Sequence, residues 1–141
     1  MKVKLSFDDI IKINYFEKST RLKVKDSFLD PVQDKLVFVV QFNEIHKLLK
    51  NKKGIETIKN LEQKLGKKLR IIEFNPNPAL FVKNAILPLK VDSVEKQDNK
   101  IIIKSNDRNI KSQIIGKGAS NLNNLKNLVS RYFSGLDIVV E

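Results

Sequence analysis

An internal repeat is the feature that most constrains the fold of this 141-residue chain. Apolar residues at helical and strand spacing occur in the same order in both halves: helix, strand, strand, helix, basic turn, helix, strand. At an offset of 64 residues, the matching pairs are Lys53 and Lys117, Gly54 and Gly118, Ile58 and Leu122, Asn60 and Asn124, Leu61 and Leu125, and Leu65 and Val129. The repeat predicts two copies of one α+β unit.

The boundary between the two units is predicted at Asn75-Pro76-Asn77-Pro78. Proline lacks an amide proton and disfavours helical conformation in the residue before it, so this segment interrupts regular structure. Pro78 itself is compatible with the first turn of a new helix. We therefore expect one domain at residues 1–75 and a second at residues 76–141.

The spacing of apolar residues also predicts the individual elements. In the first unit, Ser6 is the expected N-cap of a helix whose apolar positions are Phe7, Ile10, Ile11 and Phe16. The other elements predicted there are strands at 21–25, 35–42 and 69–74, a helix at 44–49, and a helix through Ile58, Leu61 and Leu65 that Gly66 ends. Those predicted for the second unit are a helix from Pro78 to about Ala85, strands at 89–94, 100–104 and 136–140, a helix at 107–115, and a helix ending near 133.

The charge of the chain points to a polyanionic partner. The formal net charge is +11 and the calculated isoelectric point is about 9.8, as is typical of nucleic-acid-binding proteins. There is no cysteine, which excludes disulfides and thiolate metal sites. The start of the sequence has no apolar signal-peptide core and no run reaches transmembrane length, so we expect a soluble cytoplasmic protein that makes no membrane contact.

A short basic turn in the second unit, Ile115-Gly116-Lys117-Gly118-Ala119, carries the clearest functional pattern. It lies between two short amphipathic helices, and its glycines permit positive φ and close approach of another backbone. The amides at the start of the following helix and the ammonium group of Lys117 are expected to face the same side. This arrangement is suited to holding phosphate groups.

Two such turns, each between short helices and backed by three strands, resemble the glycine loops of KH domains of type II. Over essentially its whole length the chain resembles archaeal NusA, a transcription factor built from two such domains. Besides the turns, the segments that carry this resemblance are 16–20 leading to 24–26, 37–40, 61–69, 81–84, 115–117 and 130–133. The resemblance implies an α+β fold of two tandem type II KH domains, each with its helices on one face of a three-stranded sheet.

The resemblance also implies a mechanism, in which the loop clamps the backbone of about four nucleotides of single-stranded RNA. The bases would then lie in a groove with Ile110, Ile114 and Leu122 on its floor, and Lys111, Lys117 and Lys126 would line its charged side. In the first unit the corresponding basic residues would be Lys47, Lys52, Lys53 and Lys59. The candidate RNA-binding residues are Lys52, Lys53, Gly54, Lys111, Ile115, Gly116, Lys117, Gly118, Ala119 and Lys126. Because aromatic residues are only 7% and tryptophan is absent, we expect bases to be bound without aromatic stacking platforms.

Both turns depart from the family pattern. Ala119 occupies the position of the last glycine in the second turn, where only a methyl group must be accommodated. The first turn can be aligned as 51–54 or as 52–55, and in either alignment its first glycine is missing. We therefore expect the second turn to be the main clamp, and Lys52 and Lys53 to bind phosphate chiefly by charge.

We predict a non-catalytic RNA-binding protein that acts on nascent RNA in transcription elongation or termination. The sequence contains no P-loop motif and no nucleophile-base or metal-ligand constellation. His46, the single histidine, fits a surface helix. No cofactor and no small-molecule substrate is expected. The alternatives are a protein-interaction module that docks on RNA polymerase or a ribosomal component, and a KH pair that serves RNA processing.

Overall fold

The computed structural model describes residues 6–50 and 53–141, the side chains of Leu49 and Lys50 excepted. The chain divides between Phe74 and Asn75 into two compact units. The elements of the first unit are α1 (Phe7–Thr20), β1 (Val24–Asp30), β2 (Lys35–Val40), α2 (Ile45–Lys50), α3 (Gly54–Leu65) and β3 (Lys68–Glu73). The elements of the second unit are α4 (Pro78–Ala85), β4 (Ser93–Gln97), β5 (Lys100–Lys104), α5 (Arg108–Ile115), a 3-10 turn (Lys117–Ala119), α6 (Ser120–Ser130) and β6 (Asp137–Val140).

The two units have the same sheet topology. In the described residues each unit holds one three-stranded sheet, ordered β1-β2-β3 in the first and β4-β5-β6 in the second. The first two strands of each sheet pair in antiparallel orientation through a tight turn, and the third strand pairs in parallel with the central one. Since a parallel pair requires a long crossover, the two helices between the central and third strands serve as that crossover. The prediction of a repeated α+β unit is confirmed at this level.

The core of the first unit lies between α1, α3 and one face of the sheet. Phe16 of α1 stacks on Phe38 of β2, with ring centroids 4.2 Å apart and planes inclined by 14°. Leu36 and Val40 share the face of Phe38 because side chains alternate along a strand. Leu61 of α3 is packed against the same cluster.

The core of the second unit is built in the same way. Ile101 and Ile103 of β5 and Ile138 of β6 are almost completely buried. Phe81 of α4 is fully buried, and its ring meets the ring of Tyr132 edge-on at a centroid distance of 5.3 Å. Edge-to-face contacts of this kind are favourable beyond the area that they bury.

The local signals at helix ends were read correctly from the sequence. Ser6 caps α1 through a reciprocal pair of hydrogen bonds with Asp9. Gly66 ends α3 with a φ of 71°, and Pro78 is the first residue of α4. The side chain of Asp107 accepts hydrogen bonds from the amides of Asn109 and Ile110 at the start of α5. The predictions for Ser6, Gly66 and Pro78 are confirmed because each depends on a local backbone requirement. The helix predicted at 107–115 begins one residue later, because Asp107 is its cap.

Three strand predictions were wrong in their bounds by more than one residue. β1 begins at Val24 rather than at 21, because Arg21 takes a left-handed conformation (φ 62°) that ends α1. β2 ends at Val40, and Phe42 lies in a turn and is 57% exposed. β4 begins at Ser93 rather than at 89, since Leu89 is held in a turn by its hydrogen bond to the carbonyl oxygen of Ile86.

The apolar face predicted for α1 also differs from the buried face. Phe16 is buried as expected, together with Ile13 and Thr20. Phe7, however, is 77% exposed, and Ile10 and Ile11 are 44% and 40% exposed. The helix therefore carries apolar residues on two sides, only one of which belongs to the core.

Glu44 links the segment before β1 to α2 through a hydrogen bond and an ion pair. One carboxylate oxygen accepts a hydrogen bond from the amide of Lys23 at 2.8 Å, and the other lies 2.6 Å from the ammonium nitrogen of Lys47. The hydrogen bond from Lys47, followed by that from the amide of Lys23, lowers the pKa of Glu44 below its ordinary value. Only 8% of Glu44 is exposed, so these partners replace water around the charge.

The lowered pKa of Glu44 predicts how stability depends on pH. The ionised carboxylate stabilises the fold above the unfolded-state pKa of about 4.3, and this contribution is lost as pH falls through the lower pKa of the folded state. Glu44→Gln should therefore reduce the urea midpoint at pH 7 and make it less sensitive to pH below about 4.3. Glu56→Gln, which changes an exposed acid of α3, is the control. Equal effects of the two substitutions on the pH profile, followed by circular dichroism, would contradict this role.

Candidate functional site

The turn between α5 and α6 has a backbone that depends on its glycines. The amide of Gly116 donates to the carbonyl oxygen of Ser112 at 2.8 Å and so ends α5. Gly116 then takes φ 74° and ψ 173°, a combination that is essentially limited to glycine. Gly118 follows in the left-handed region, with φ 61° and ψ 29°. The chain reverses within three residues and enters α6 at Ser120.

Ala119 is also left-handed, with φ 61° and ψ 23°. For an L-residue other than glycine, this conformation costs about 1–2 kcal/mol. Alanine at this position therefore strains the backbone. Its amide still donates to the carbonyl oxygen of Gly116 at 3.2 Å, which closes the turn.

Asn121, which sequence reasoning missed, holds the turn together. Its side-chain amide donates to the carbonyl oxygen of Gln113 at 2.8 Å, linking α6 back to α5. A Cβ atom at Gly116 would lie 2.7 Å from the Cγ atom of Asn121. Gly116 is therefore needed both for its φ and for the close approach of this side chain. The sequence signal was weak, because an asparagine near the start of a helix is common.

The helices that follow the two basic turns both begin without a side-chain cap. Among the residues that the structure describes, no side-chain hydrogen bond caps α3 at Lys53 or α6 at Ala119. In contrast, α1, α4 and α5 begin at Ser6, Asn77 and Asp107, whose side chains accept hydrogen bonds from first-turn amides. An uncapped helix start leaves amide donors for another acceptor, and the helix dipole favours an anion there.

The predicted basic residues of the second unit differ in exposure and in whether an acid already pairs with them. Lys117 is exposed in the turn, and Lys111 is half-buried on α5. The ammonium nitrogen of Lys126 lies 3.1 Å from a carboxylate oxygen of Asp137. The hydrogen bond from the amide of Ile138 and, to a smaller extent, the hydrogen bond from Lys126 lower the pKa of Asp137. Lys126 is thus already partly neutralised, whereas Lys117 is exposed beside the uncapped helix.

The three predicted floor residues also differ in burial. Ile114 is only 3% exposed and belongs to the core. Ile110 and Leu122 are half-buried, as is the predicted loop residue Ile115. Of the candidate floor, Ile110 and Leu122 thus retain surface that could meet a ligand.

The described residues of the first basic turn, Lys53 and Gly54, differ in structure from their counterparts in the second. Lys52 lies outside the described residues. Lys53 is exposed and is the N-cap residue of α3, with φ −96°. Gly54 is the first residue of α3 and is buried, and a Cβ atom there would lie 2.8 Å from the carbonyl oxygen of Leu48. Gly54 is therefore required for the close packing of α2 and α3 and has no positive φ like that of Gly118.

The other two cations proposed for the first unit are Lys47 and Lys59. Lys47 is paired with Glu44, and Lys59 is exposed on α3. In the described part of the chain, no group of three histidine, aspartate or glutamate side chains is placed to hold a metal ion. Nor does any described helix combine the length and apolar character needed to cross a bilayer.

Comparison with known proteins finds relatives that share one name. No protein-family model matches the chain. Three archaeal proteins named probable transcription termination protein NusA are similar to it. The protein of Methanococcus vannielii is 36% identical over a segment that covers 73% of this chain and 58% of that protein. The chain is NusA-like.

Two further relatives extend the similarity over nearly the whole NusA-like chain. The protein of Methanocaldococcus jannaschii is 27% identical, covering 99% of this chain and 77% of that protein. The protein of Thermoplasma acidophilum is 26% identical, covering 92% and 89% respectively. The match spans little more than half the length of the first relative, from Methanococcus vannielii.

A solved structure shares the fold. The crystal structure of APE1850 matches with a TM-score of 0.72 over 97% of this chain and 100% of that chain. Sequence identity is 23%, so this match bears on the fold alone. It supports the mixed α+β architecture with two three-stranded sheets.

The geometry of the turn predicts a large effect of Gly116→Ala. We expect a loss of about 2–3 kcal/mol in the free energy of unfolding, because the alanine must adopt a glycine conformation and displace Asn121. Gly135→Ala is the matched control, since Gly135 has a similar φ of 72° but no atom within 4 Å of an added Cβ. The loss in urea unfolding should be larger for Gly116→Ala, because of the contact with Asn121 and the ψ of 173° at Gly116, and equal losses would show that neither is important.

The strain at Ala119 predicts a change in the opposite direction. Ala119→Gly should increase the free energy of unfolding by about 0.5–1 kcal/mol, because relief of the left-handed strain exceeds the entropy cost of an added glycine. Ser130→Gly, at the last position of α6, is a control in which glycine relieves no strain. A loss of stability in Ala119→Gly would exclude strain at this position.

Proposed function

We propose that this NusA-like chain is a non-catalytic protein that binds single-stranded RNA. In this proposal each unit is a type II KH domain, the first at residues 1–75 and the second at residues 76–141. The turn at Gly116-Lys117-Gly118-Ala119 is the main clamp on the RNA backbone. The observation that carries the proposal is the combination, in this turn, of glycine-dependent backbone, an exposed Lys117 and an uncapped helix start at Ser120.

The assignment to KH domains rests on topology. Each unit follows the order helix, strand, strand, helix, helix, strand, with the third strand parallel to the central one. In each unit a basic turn joins the two consecutive helices, where KH domains have the loop that holds nucleotides. The similarity to the proteins named NusA supports the same assignment.

A role in transcription follows from the names of the relatives. Three proteins named for transcription termination are similar to much of the chain. RNA that is still being synthesised is single-stranded as it leaves the polymerase, so it is a suitable ligand for a backbone clamp. We therefore propose nascent RNA as the ligand, in transcription elongation or termination.

The first turn is proposed as the weaker of the two RNA contacts. Gly54 is used for helix packing, so the backbone there cannot approach a phosphate as it can at Gly118. Lys53, at the uncapped start of α3, supplies charge instead. Lys52 is included in this contact on the basis of sequence alone.

A charge substitution in the second turn tests the clamp. Gly118 has a left-handed φ, and nothing lies within 4 Å of an added Cβ. Asparagine and aspartate are the residues that tolerate this conformation best. Gly118→Asp should weaken binding of a fluorescein-labelled single-stranded RNA by about tenfold or more, since like charges placed in contact cost several kcal/mol. Gly118→Asn has nearly the same shape without the charge and should bind within about threefold of the wild type.

Salt dependence supplies the second measurement for this test. The affinity of the wild type should fall as salt is raised, with a slope of about −0.7 in log K against log salt for each phosphate neutralised. Equal affinity of the aspartate and asparagine variants would move the RNA site away from this turn. Absence of salt-sensitive binding to any single-stranded RNA would overturn the proposed function.

A protein contact is the second candidate, and the exposed side of α1 favours it. Phe7, Ile10, Ile11 and Tyr15 are at least 40% exposed and recur at helical spacing on one side of the helix. Apolar residues grouped in this way mark interaction surfaces more often than isolated ones do. RNA polymerase is the proposed partner because the similar proteins are named for transcription termination.

Ile11→Asp tests this contact separately from RNA binding. We expect it to abolish co-sedimentation with the RNA polymerase of the same organism and to leave the RNA affinity unchanged, because it places a charge on the apolar side of α1. Ser19→Asp adds the same charge at an exposed position elsewhere on α1 and should have no effect. Co-sedimentation that survives Ile11→Asp would exclude α1 as the polymerase contact.

A further inference from the structure

Several chain segments lie near one end of the first sheet. α3 has 12 residues and ends two residues before β3, which has six. Their lengths are about 18 Å and 20 Å, so the start of α3 lies near the end of β3. α2 begins shortly after β2 ends, and β1 begins opposite the end of β2 because the two strands are antiparallel. We call this region the sheet end of the first unit and define it by Lys23, Phe42, Lys53 and Ile55.

Hydrogen bonds join three of these segments, namely the entry to β1 and the ends of β2 and β3. The amide of Gln41 donates to the carbonyl oxygen of Lys23 at 2.8 Å, which places Phe42 next to the segment that enters β1. The amide of Phe74 donates to the carbonyl oxygen of Val40 at 2.8 Å. Phe42 is therefore near the ends of both β2 and β3.

The sheet end combines exposed apolar groups with positive charge. Phe42 is 57% exposed and Ile55 is 76% exposed. Lys23 and Lys53 are exposed as well. The neighbouring ring of Phe74 already accepts a cation, since the ammonium nitrogen of Lys25 lies 4.4 Å from its centroid. The charged residues beside Phe42 are therefore lysines, whereas an acid, Asp8, is exposed beside the apolar side of α1.

Two acids at the sheet end, Glu44 and Glu73, have partners within the fold, and a third, Glu56 beside Ile55 in the first turn of α3, is exposed. Glu44 accepts from the amide of Lys23 and is paired with Lys47. A carboxylate oxygen of Glu73 accepts from the amide of Ile45 at 3.2 Å. Neither carboxylate is directed only at solvent, so both oppose an incoming anion less than exposed acids would.

We propose that the sheet end of the first unit is a second RNA contact, in which Phe42 stacks on a base and Lys23 binds a neighbouring phosphate. The inference rests on the proposed function and specifies how the unit with the weaker turn would bind RNA. Stacking between a base and an aromatic ring is tolerant of sequence and strong in water, and adjacent lysines bind the backbone. It also revises the expectation that bases are bound without aromatic stacking, because the scarcity of aromatics does not show where they are placed.

The second unit lacks this combination at its corresponding end. There the segment after β5 contains Asn106 and Asp107, and Asp107 is used to cap α5. Glu141 follows β6 and Asp92 precedes β4. In this proposal the second unit binds RNA through its glycine turn, and the first unit binds it through an exposed aromatic ring.

Phe42→Ala is the central variant of the experiment. Its probe is a fluorescein-labelled 12-nucleotide oligoadenylate, titrated by fluorescence anisotropy against the full chain. We expect Phe42→Ala to lower the affinity by about tenfold, within the range measured for loss of one stacked base. Phe42→Tyr should retain binding because it keeps the ring, whereas Phe42→Leu should lose as much affinity as the alanine variant.

Phe7→Ala is the matched control. Phe7 is 77% exposed and belongs to the same unit. α1 has 14 residues and only its last turn leads into β1, so Phe7 lies about 20 Å along the helix from that turn. Its removal should leave the affinity within about twofold of the wild type.

Salt dependence separates the base contact from the phosphate contact. Phe42→Ala should lower the affinity without changing the slope of log K against log salt, since stacking releases no counterions. Lys23→Ala should reduce the magnitude of that slope by about 0.7, the value for one phosphate on a single strand. Circular dichroism should show both variants folded, as the two side chains are exposed.

Different outcomes overturn different parts of the proposal. If the wild type binds the RNA and Phe42→Ala binds equally well, the stacking contact is wrong, RNA binding itself stands, and Phe42 is assigned to a protein surface. Equal losses in Phe42→Ala and Phe7→Ala also overturn it, because they indicate a general apolar effect. If the wild type binds no single-stranded RNA, the proposed function fails first and this inference fails with it.

Discussion

The parallel pairing of the last strand of each unit with its central strand is the constraint on which the rest of the structure depends. β3 pairs with β2 from Lys35 and Lys68 onward, and β6 pairs with β5 from Lys100 and Asp137 onward. The chain must return to the starting end of the sheet before a parallel partner can form. Two helices make that return in each unit, and the turn between them is therefore a fixed part of the fold.

The same constraint leads to two different turns. In the second unit, Gly116 has a conformation limited to glycine, and the side chain of Asn121 occupies the space where a Cβ would lie. In the first unit, the carbonyl oxygen of Leu48 lies where a Cβ of Gly54 would be. One glycine thus shapes an exposed backbone loop, and the other permits two helices to pack closely. The repeat preserves the helices and the core positions more faithfully than it preserves the turns.

This difference gives the two halves of the NusA-like chain different surfaces for the function we propose. The second unit offers an uncapped helix start beside Lys117, a geometry suited to a phosphate. The first unit offers an exposed Phe42 with lysines around it. The first of these surfaces suits a phosphate and the second suits a base, and single-stranded RNA contains both groups.

The sequence by itself determined the repeat, the order of elements in each unit and several helix ends. Ser6, Gly66, Pro78 and Asp107 act through the backbone within a few residues of themselves, so their roles can be read locally. The resemblance to archaeal NusA was equally visible in the sequence.

Tertiary structure decided which side of an element is used and what each site residue contacts. Ile10 and Ile11 have the spacing of core residues but lie on the exposed side of α1, because Ile13 and Phe16 face the sheet. The pairing of Lys126 with Asp137 joins residues of α6 and β6, and the exposure of Phe42 depends on where β2 ends. These properties depend on contacts between segments distant in sequence, which the periodicity of a single segment cannot specify.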